Sequence, residues 1–204
     1  MSRREAMSRP SILIDLERCM GCMSCRIACK MENNVPVGNN LIDVKTIGPV
    51  GTFPKNLRLY YVPHGCMQCN NPSCVTRCPT RAVVKRNDGL VTIDPELCIA
   101  CGICIPDCPY NAISINTVLG TAIKCELCKQ LTGNGKKPNC VKHCKAHALF
   151  FGNLNDRESD IRQHLEKNRD RVVRFLEGKG TEPTVIYLKP KCGMEDNEIE
   201  WLFQ

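Results

Sequence analysis

The apolar and polar positions of this chain form short blocks rather than long periodic runs. Ser11-Ile-Leu-Ile-Asp15 and Leu90-Val-Thr-Ile-Asp94 are each a brief apolar run closed by an aspartate, which predicts a short strand leading into a turn. Thr80-Arg-Ala-Val-Val84, Tyr110-Asn-Ala-Ile-Ser114 and Lys145-Ala-His-Ala-Leu149 share a second form. It predicts half a turn of helix holding an alanine, then a returning strand. Asp88-Gly89, between Val84 and Leu90, is a strong hairpin-turn signal. Before residue 155 no segment keeps helical spacing for more than about three turns.

Beyond residue 155 the pattern changes. Ile161, Leu165, Val172 and Leu176 fall on one helical face, Asn155 with Glu158 suggests a capping box, and Gly178 suits a stop. A strand, Thr184-Val-Ile-Tyr-Leu188, follows Pro183. One helix and one strand cannot form a core alone. They pack back on the rest, lie on a partner subunit, or rest on a membrane surface. Residues 30–63 form an insert that ends in Leu57-Arg-Leu-Tyr-Tyr-Val62, either a surface loop returning as an ordinary strand or a docking element. The polar stretch 129–139 is either a solvated loop or a docking loop.

Composition sharpens the picture. The 204 residues include only one Trp, four Tyr and five Phe, but 17 Cys. A hydrocarbon core this small needs help to hold the chain together. No run of about 20 apolar residues would cross a membrane, and the Met1-Ser-Arg-Arg-Glu5 start has no apolar region behind it, so no secretory peptide is expected.

The cysteines supply the missing help. They stand as Cys19-x2-Cys22-x2-Cys25-x3-Cys29, Cys66-x2-Cys69-x4-Cys74-x3-Cys78, Cys98-x2-Cys101-x2-Cys104-x3-Cys108 and Cys125-x2-Cys128-x11-Cys140-x3-Cys144, with Cys192 left over as a spectator thiol. The third group has the spacing of a bacterial ferredoxin run. Three thiolates of a tight loop reach three corners of one four-iron cage. The fourth is expected to open a helix and reach a second cage. The count then predicts four [4Fe-4S] clusters. Zinc is the competing metal, but it does not require four cysteines packed into one short run.

The second and third groups are separated by 19 residues and both end in Cys-Pro. They read as an inner two-cluster module, 64–115, with Cys66, Cys69, Cys74 and Cys108 on one cluster and Cys98, Cys101, Cys104 and Cys78 on the other. The first and fourth groups then pair across it. Cys19, Cys22, Cys25 and Cys144 take one cluster, and Cys125, Cys128, Cys140 and Cys29 the other. The outer module is thus 11–63 plus 116–154, with a C-terminal extension over 155–204. The expected class is α+β: two interlocked ferredoxin-like modules of short hairpins and helices around four clusters, followed by a helix and a strand.

Charge and the remaining residues add little other chemistry. The formal charge is +7, and four thiolate-ligated clusters at about −2 each would bring it to about −1. The basic excess offsets its own cofactors, so nucleic acid is not an expected partner. No set of base, orienting partner and pocket signals catalysis. His64 and His143 stand beside cluster cysteines, either as surface residues or as donors to sulfur.

Cys19-Met-Gly-Cys-Met-Ser-Cys-Arg-Ile-Ala-Cys-Lys30, Gly51-Thr-Phe-Pro54, Cys78-Pro-Thr80, Asp88-Gly89, Cys98 to Tyr110, Lys124-Cys-Glu-Leu-Cys128 and Pro138-Asn-Cys-Val141 together resemble one family. It is the four-cluster iron–sulfur electron-transfer subunit of the dimethyl-sulfoxide-reductase type of molybdenum or tungsten enzymes. The resemblance covers residues 11–151. It implies a non-catalytic relay between a large molybdenum or tungsten bis-pterin subunit and a quinone-reacting membrane subunit or another redox partner. The implied order begins with the Cys19, Cys22, Cys25, Cys144 set at the pterin. The Cys125 set, the Cys66 set and the Cys98 set follow. The implied location is peripheral in a membrane-associated complex, on the periplasmic face by co-export or in the cytoplasm. Lys145 departs from the proline that relatives carry after the last cysteine. A freestanding or differently partnered polyferredoxin is the alternative.

Overall fold

The computed structural model describes residues 8–176, 179–191 and 194. Gly178 and Cys192 lie outside them. At its centre is a four-stranded sheet built from both ends of the chain. Strand β1 (Pro10–Asp15) opens it. Packed with this sheet in the main core are helix α1 (Ser24–Glu32) and a hairpin of β2 (Ile42–Val50) with β3 (Arg58–Gly65). Helix α2 (Ser73–Thr76) then precedes two small hairpins: β4 (Val83–Lys85) with β5 (Val91–Ile93), and β6 (Ser114–Asn116) with β7 (Thr121–Ile123). Helices α3 (Lys129–Thr132) and α4 (Asn139–Lys142) lead to β8 (Leu149–Asn153). The chain closes with α5 (Asp160–Lys167), a 3-10 turn Arg169–Arg171, β9 (Val172–Val173) and β10 (Ile186–Leu188).

The sheet order is β8-β1-β10-β9. Leu13 sits opposite Ile186 in the parallel β1–β10 pair and opposite Phe150 in the antiparallel β1–β8 pair. Successive β1 residues face opposite sides, and both sides are covered, which explains its unbroken apolar run. Leu13, Ile186 and Leu188 pack with Ile161 of α5. Ile12, Ile14 and Tyr187 face the main core with Cys25, Cys29 and Cys140. A second small core holds Val83, Val91, Ile93, Ile113 and Ala122 with Cys74 and Cys104. The described residues therefore form a small α+β fold in which cysteines sit inside both larger cores.

The hairpin signal at Asp88-Gly89 corresponds to the β4–β5 turn, where Gly89 has φ +84° and Asp88 Oδ1 accepts from the Leu90 N–H at 3.1 Å. The insert 30–63 folds back on itself as β2–β3, in register from Ile42↔Gly65 to Ile47↔Tyr60. The tail packs back as the inner strand β10.

Its helix is shorter than its apolar spacing predicts. α5 stops at Lys167, while Val172 joins β9 and pairs with Leu188. Leu176 has φ +53° and belongs to no helix. Strand pairing and the burial of Arg171 outweigh continued helical spacing. The helix starts at Ser159 as its N-cap rather than at an Asn155–Glu158 box, and the Asp156 side chain accepts from the Glu158 N–H at 3.0 Å. Among the described residues no helix is long and apolar enough to cross a membrane.

Candidate metal centres

The four cysteine groups fold by one repeated local rule. The residue two after the first cysteine of each group is left-handed: Gly21 (φ +69°), Gln68 (+46°), Ala100 (+52°) and Leu127 (+52°). Three of these carry side chains, for which this conformation is strained. The kink turns each Cys-x2-Cys segment into a tight loop. Only Gly21 could have been anticipated from residue type.

A second rule follows the last cysteine. Arg81, Asn111 and His147, each three residues past Cys78, Cys108 and Cys144, have φ +57°, +49° and +48°. The alanines next in line, Ala82, Ala112 and Ala148, donate their backbone N–H to those cysteine sulfurs. The Ala148 N to Cys144 Sγ distance is 3.2 Å. This gives a physical reason for the alanine in the repeated block. The fourth cysteine does not open a helix as expected. Cys25 and Cys29 both lie inside α1, and Cys74 and Cys140 lie inside α2 and α4. In three groups the left-handed residue lies between the last cysteine and a returning strand.

Tertiary packing gathers distant thiols. Burial pushes Cys25 up to about 11, and Cys19, Cys144 and Cys22 add repulsion. Burial pushes Cys29 up to about 12, with Cys128 beside it, while Cys140 rises for the same reason among Cys125, Cys29 and Cys128. Cys74 reaches about 12 through burial beside Cys66, Cys108 and Cys69. Cys104 rises by burial next to Cys98, Cys101 and Cys78. A buried thiol is a poor acid because water no longer stabilises the thiolate. Holding such groups as thiolate ligands therefore requires a metal cation beside them.

Three cavities are lined by these thiols. One has Cys29, Cys125, Cys128 and Cys140, with Cys66 at its edge. A second has Cys66, Cys69, Cys74 and Cys108, and a third has Cys78, Cys98, Cys101 and Cys104. Among the described residues no three Cys, His, Asp or Glu side chains converge on a point for one ion. A tetrahedral zinc needs sulfurs about 2.3 Å from one centre. An iron–sulfur cage instead needs thiolates spread around a cavity, and the sets lining cavities fit that requirement.

Other polar groups brace these sets. Asn33 Nδ2 lies 3.6 Å from Cys29 Sγ and 3.8 Å from Cys128 Sγ, and Asn139 Nδ2 donates to Ala28 O at 3.1 Å. These contacts tie α1 to the fourth group. Thr184 N donates to Met67 O at 3.0 Å, and Asn71 N to Thr181 O at 3.0 Å, so the tail clamps the second loop. His64 is buried, and a ring nitrogen contacts Tyr110 O at 2.7 Å; burial holds its pKa below the ordinary value. His143 is exposed and contacts Asn139 O at 3.0 Å.

Comparison with known proteins places this arrangement. Residues 57–154 match the 4Fe-4S dicluster domain. The chain is 40% identical to the B subunit of tetrathionate reductase from Archaeoglobus fulgidus over 176 residues, which cover 86% of this chain and 80% of that one. It is 35% identical to the B subunit of polysulfide reductase from Wolinella succinogenes over 180 residues, 88% and 93% of the two chains. A protein of Halobacterium salinarum, provisionally named as the iron–sulfur B subunit of a dimethyl sulfoxide reductase, is 34% identical over 210 residues, 89% and 79%.

The protein belongs to the iron–sulfur B-subunit family of dimethyl-sulfoxide-reductase-type oxidoreductases.

The 4Fe-4S dicluster match and the many thiols of this B subunit support [4Fe-4S] clusters. Sixteen of them are unpaired by disulfides. Cys22 and Cys101 are the two exposed ones. Met20 and Ile27 flank Cys22 in sequence, and Ile99 and Ile103 line the cavity of Cys101; all four are exposed apolar residues.

Proposed function

We propose that this B subunit holds four [4Fe-4S] clusters and relays single electrons. One terminus would be a molybdenum or tungsten bis-pterin catalytic subunit, and the other a quinone-linked membrane subunit or another redox partner. The ligand sets are Cys19, Cys22, Cys25 and Cys144; Cys125, Cys128, Cys140 and Cys29; Cys66, Cys69, Cys74 and Cys108; and Cys98, Cys101, Cys104 and Cys78. When bound, each cluster supplies a one-electron acceptor and donor. The protein spaces the sets, buries them and leaves two edges open.

The observation that carries the reading is the exposure of Cys22 and Cys101 alone among the sixteen described cysteines. They belong to the first and last sets of the order implied by the resemblance. Their exposed apolar neighbours suit contact with partner subunits. The α1–α4 packing supports an outer module, 11–63 with 116–154, closed around an inner one, 64–115. The described part of residues 155–204 braces both, and the whole would be a peripheral subunit of a membrane-associated complex, periplasmic or cytoplasmic.

Anaerobic purification of the native complex, with partner identification and metal counting, tests this. About sixteen irons per chain, molybdenum or tungsten, and a large pterin-binding partner are the expected result. Sixteen irons without either metal would move the protein to a freestanding carrier. Zinc in place of iron would overturn the proposal.

A further inference from the structure

Lys124 is the one lysine among the described residues whose burial is nearly complete, at 3% exposure. Its ammonium donates to Val91 O and to Cys125 O, the latter at 3.2 Å. Val91 lines the cavity of Cys66, Cys69, Cys74 and Cys108. Cys125 lines the adjoining cavity, and Cys66 borders both. The charge thus sits in the partition between two thiol sets.

Among the described residues no carboxylate pairs with it. The nearest acid in sequence, Glu126, is engaged elsewhere: its Oε1 accepts from the Ile93 N–H at 2.6 Å and its Oε2 pairs with Lys129 at 2.7 Å. Two carbonyl dipoles do not neutralise an ammonium, and a buried charge without a counter-charge is strongly unfavourable. One of its two acceptors, the Val91 carbonyl, belongs to a residue in the wall of the Cys66, Cys69, Cys74 and Cys108 cavity. An anion belongs in this partition. A cluster ligated by four thiolates carries about two negative charges, and one more after reduction.

We propose that the Lys124 ammonium is the buried counter-charge of the cluster held by Cys66, Cys69, Cys74 and Cys108, and raises its reduction potential. Lys124 is a positioning and tuning residue. It ligates nothing, but its positive charge stabilises the reduced, more negative cluster more than the oxidised one. The same charge accounts for a lysine buried beside the neutral amide of Gln68, which shares the Val91 and Cys125 carbonyls with it.

The inference rests on the four-cluster reading, and one experiment separates the two. The anaerobically loaded full-length protein is titrated potentiometrically with EPR detection, as wild type, Lys124→Met and Lys124→Arg. The signal of this set is assigned by the line-shape change that Cys74→Ser produces. In Lys124→Met the one-electron reduction equilibrium of that cluster should fall about tenfold, a downward shift of about 59 mV. Lys124→Arg should stay within about threefold of wild type. A fall smaller than about threefold in the methionine variant overturns the inference. If Lys124→Met fails to retain clusters while Lys124→Arg retains them, the charge itself is required and the inference stands. Loss in both variants assigns Lys124 to shape alone and overturns it. A wild-type protein without iron–sulfur EPR signals would instead overturn the cluster reading beneath it.

Discussion

Asp15 and Arg171 form a buried ion pair across 156 residues of sequence: Arg171 Nη2 lies 2.6 Å from Asp15 Oδ1, with side chains 9% and 5% exposed for the arginine and the aspartate. Asp15 ends β1 just before the first cysteine loop, and Arg171 precedes β9. The rest of the guanidinium is satisfied by Lys189 O at 2.7 Å and Asn168 Oδ1 at 3.0 Å. This pair therefore locks the tail to the entrance of the Cys19 loop.

Removing one member of such a pair strands the other charge. Asp15→Asn or Arg171→Met should each destabilise the fold by about 3–5 kcal/mol. The double variant Asp15→Asn with Arg171→Met should cost less than the sum. Anaerobic denaturant unfolding of the four proteins measures this coupling.

Gly21 has φ +69°, and a Cβ there would lie 2.5 Å from the Tyr61 ring on β3. The insert hairpin thus buttresses the first cysteine loop. Gly21→Ala should lose the Cys19 set selectively, lowering the iron content by about four per chain. Gly102 has φ +77° but nothing within 4 Å of the same position. Gly102→Ala should bear only backbone strain of about 1–2 kcal/mol and retain its iron. Equal iron loss in both variants would refute the role given to Tyr61.

All sixteen grouped cysteines precede residue 145, yet a chain ending at residue 179 should not assemble stably. It would lack β10, whose Ile186 is 1% exposed and pairs with Leu13, and Thr181 and Thr184 on the second loop. In the full chain, Ile186→Ala should cost about 2–5 kcal/mol. Soluble yield and iron content of the shortened chain check the first expectation, and denaturant midpoints the second.

His164 stacks on Phe150 with ring centroids 3.9 Å apart. Burial lowers its pKa, and the nearby cations Arg18, Lys167 and Arg171 act in the same direction, against Asp15. The unfolded chain then binds more protons than the folded one as pH falls through the range between the ordinary histidine value of about 6.5 and the depressed one. Wild-type stability should drop over that interval. The advantage of wild type over His164→Gln, compared at each pH by denaturant midpoint, should narrow there. An advantage constant with pH would refute the assignment.

Much of the metal chemistry was legible because thiol ligation demands a residue type that little else does. The spacing of cysteines is a local property, so the four groups and the short strands at β1 and β5 can be read from sequence. The alanine in the repeated block was visible too. Its reason, an N–H aimed at the sulfur four residues earlier, needed the left-handed turns at Arg81, Asn111 and His147. No residue-type rule announces such turns on arginine or histidine. The capping box and the long tail helix failed because local spacing said nothing of Val172 pairing with Leu188.

The sequence by itself determined the [4Fe-4S] kind of cofactor, the spacing of the cysteine runs and the small α+β elements, since each depends mainly on residues close together in the chain. The tertiary structure decided what depends on distant neighbours. It seated the tail as an inner strand, paired Asp15 with Arg171, set Tyr61 against Gly21 and buried Lys124 between two thiol sets. Burial and charge partnership are properties of the folded interior, where a low dielectric makes one missing counter-charge decisive.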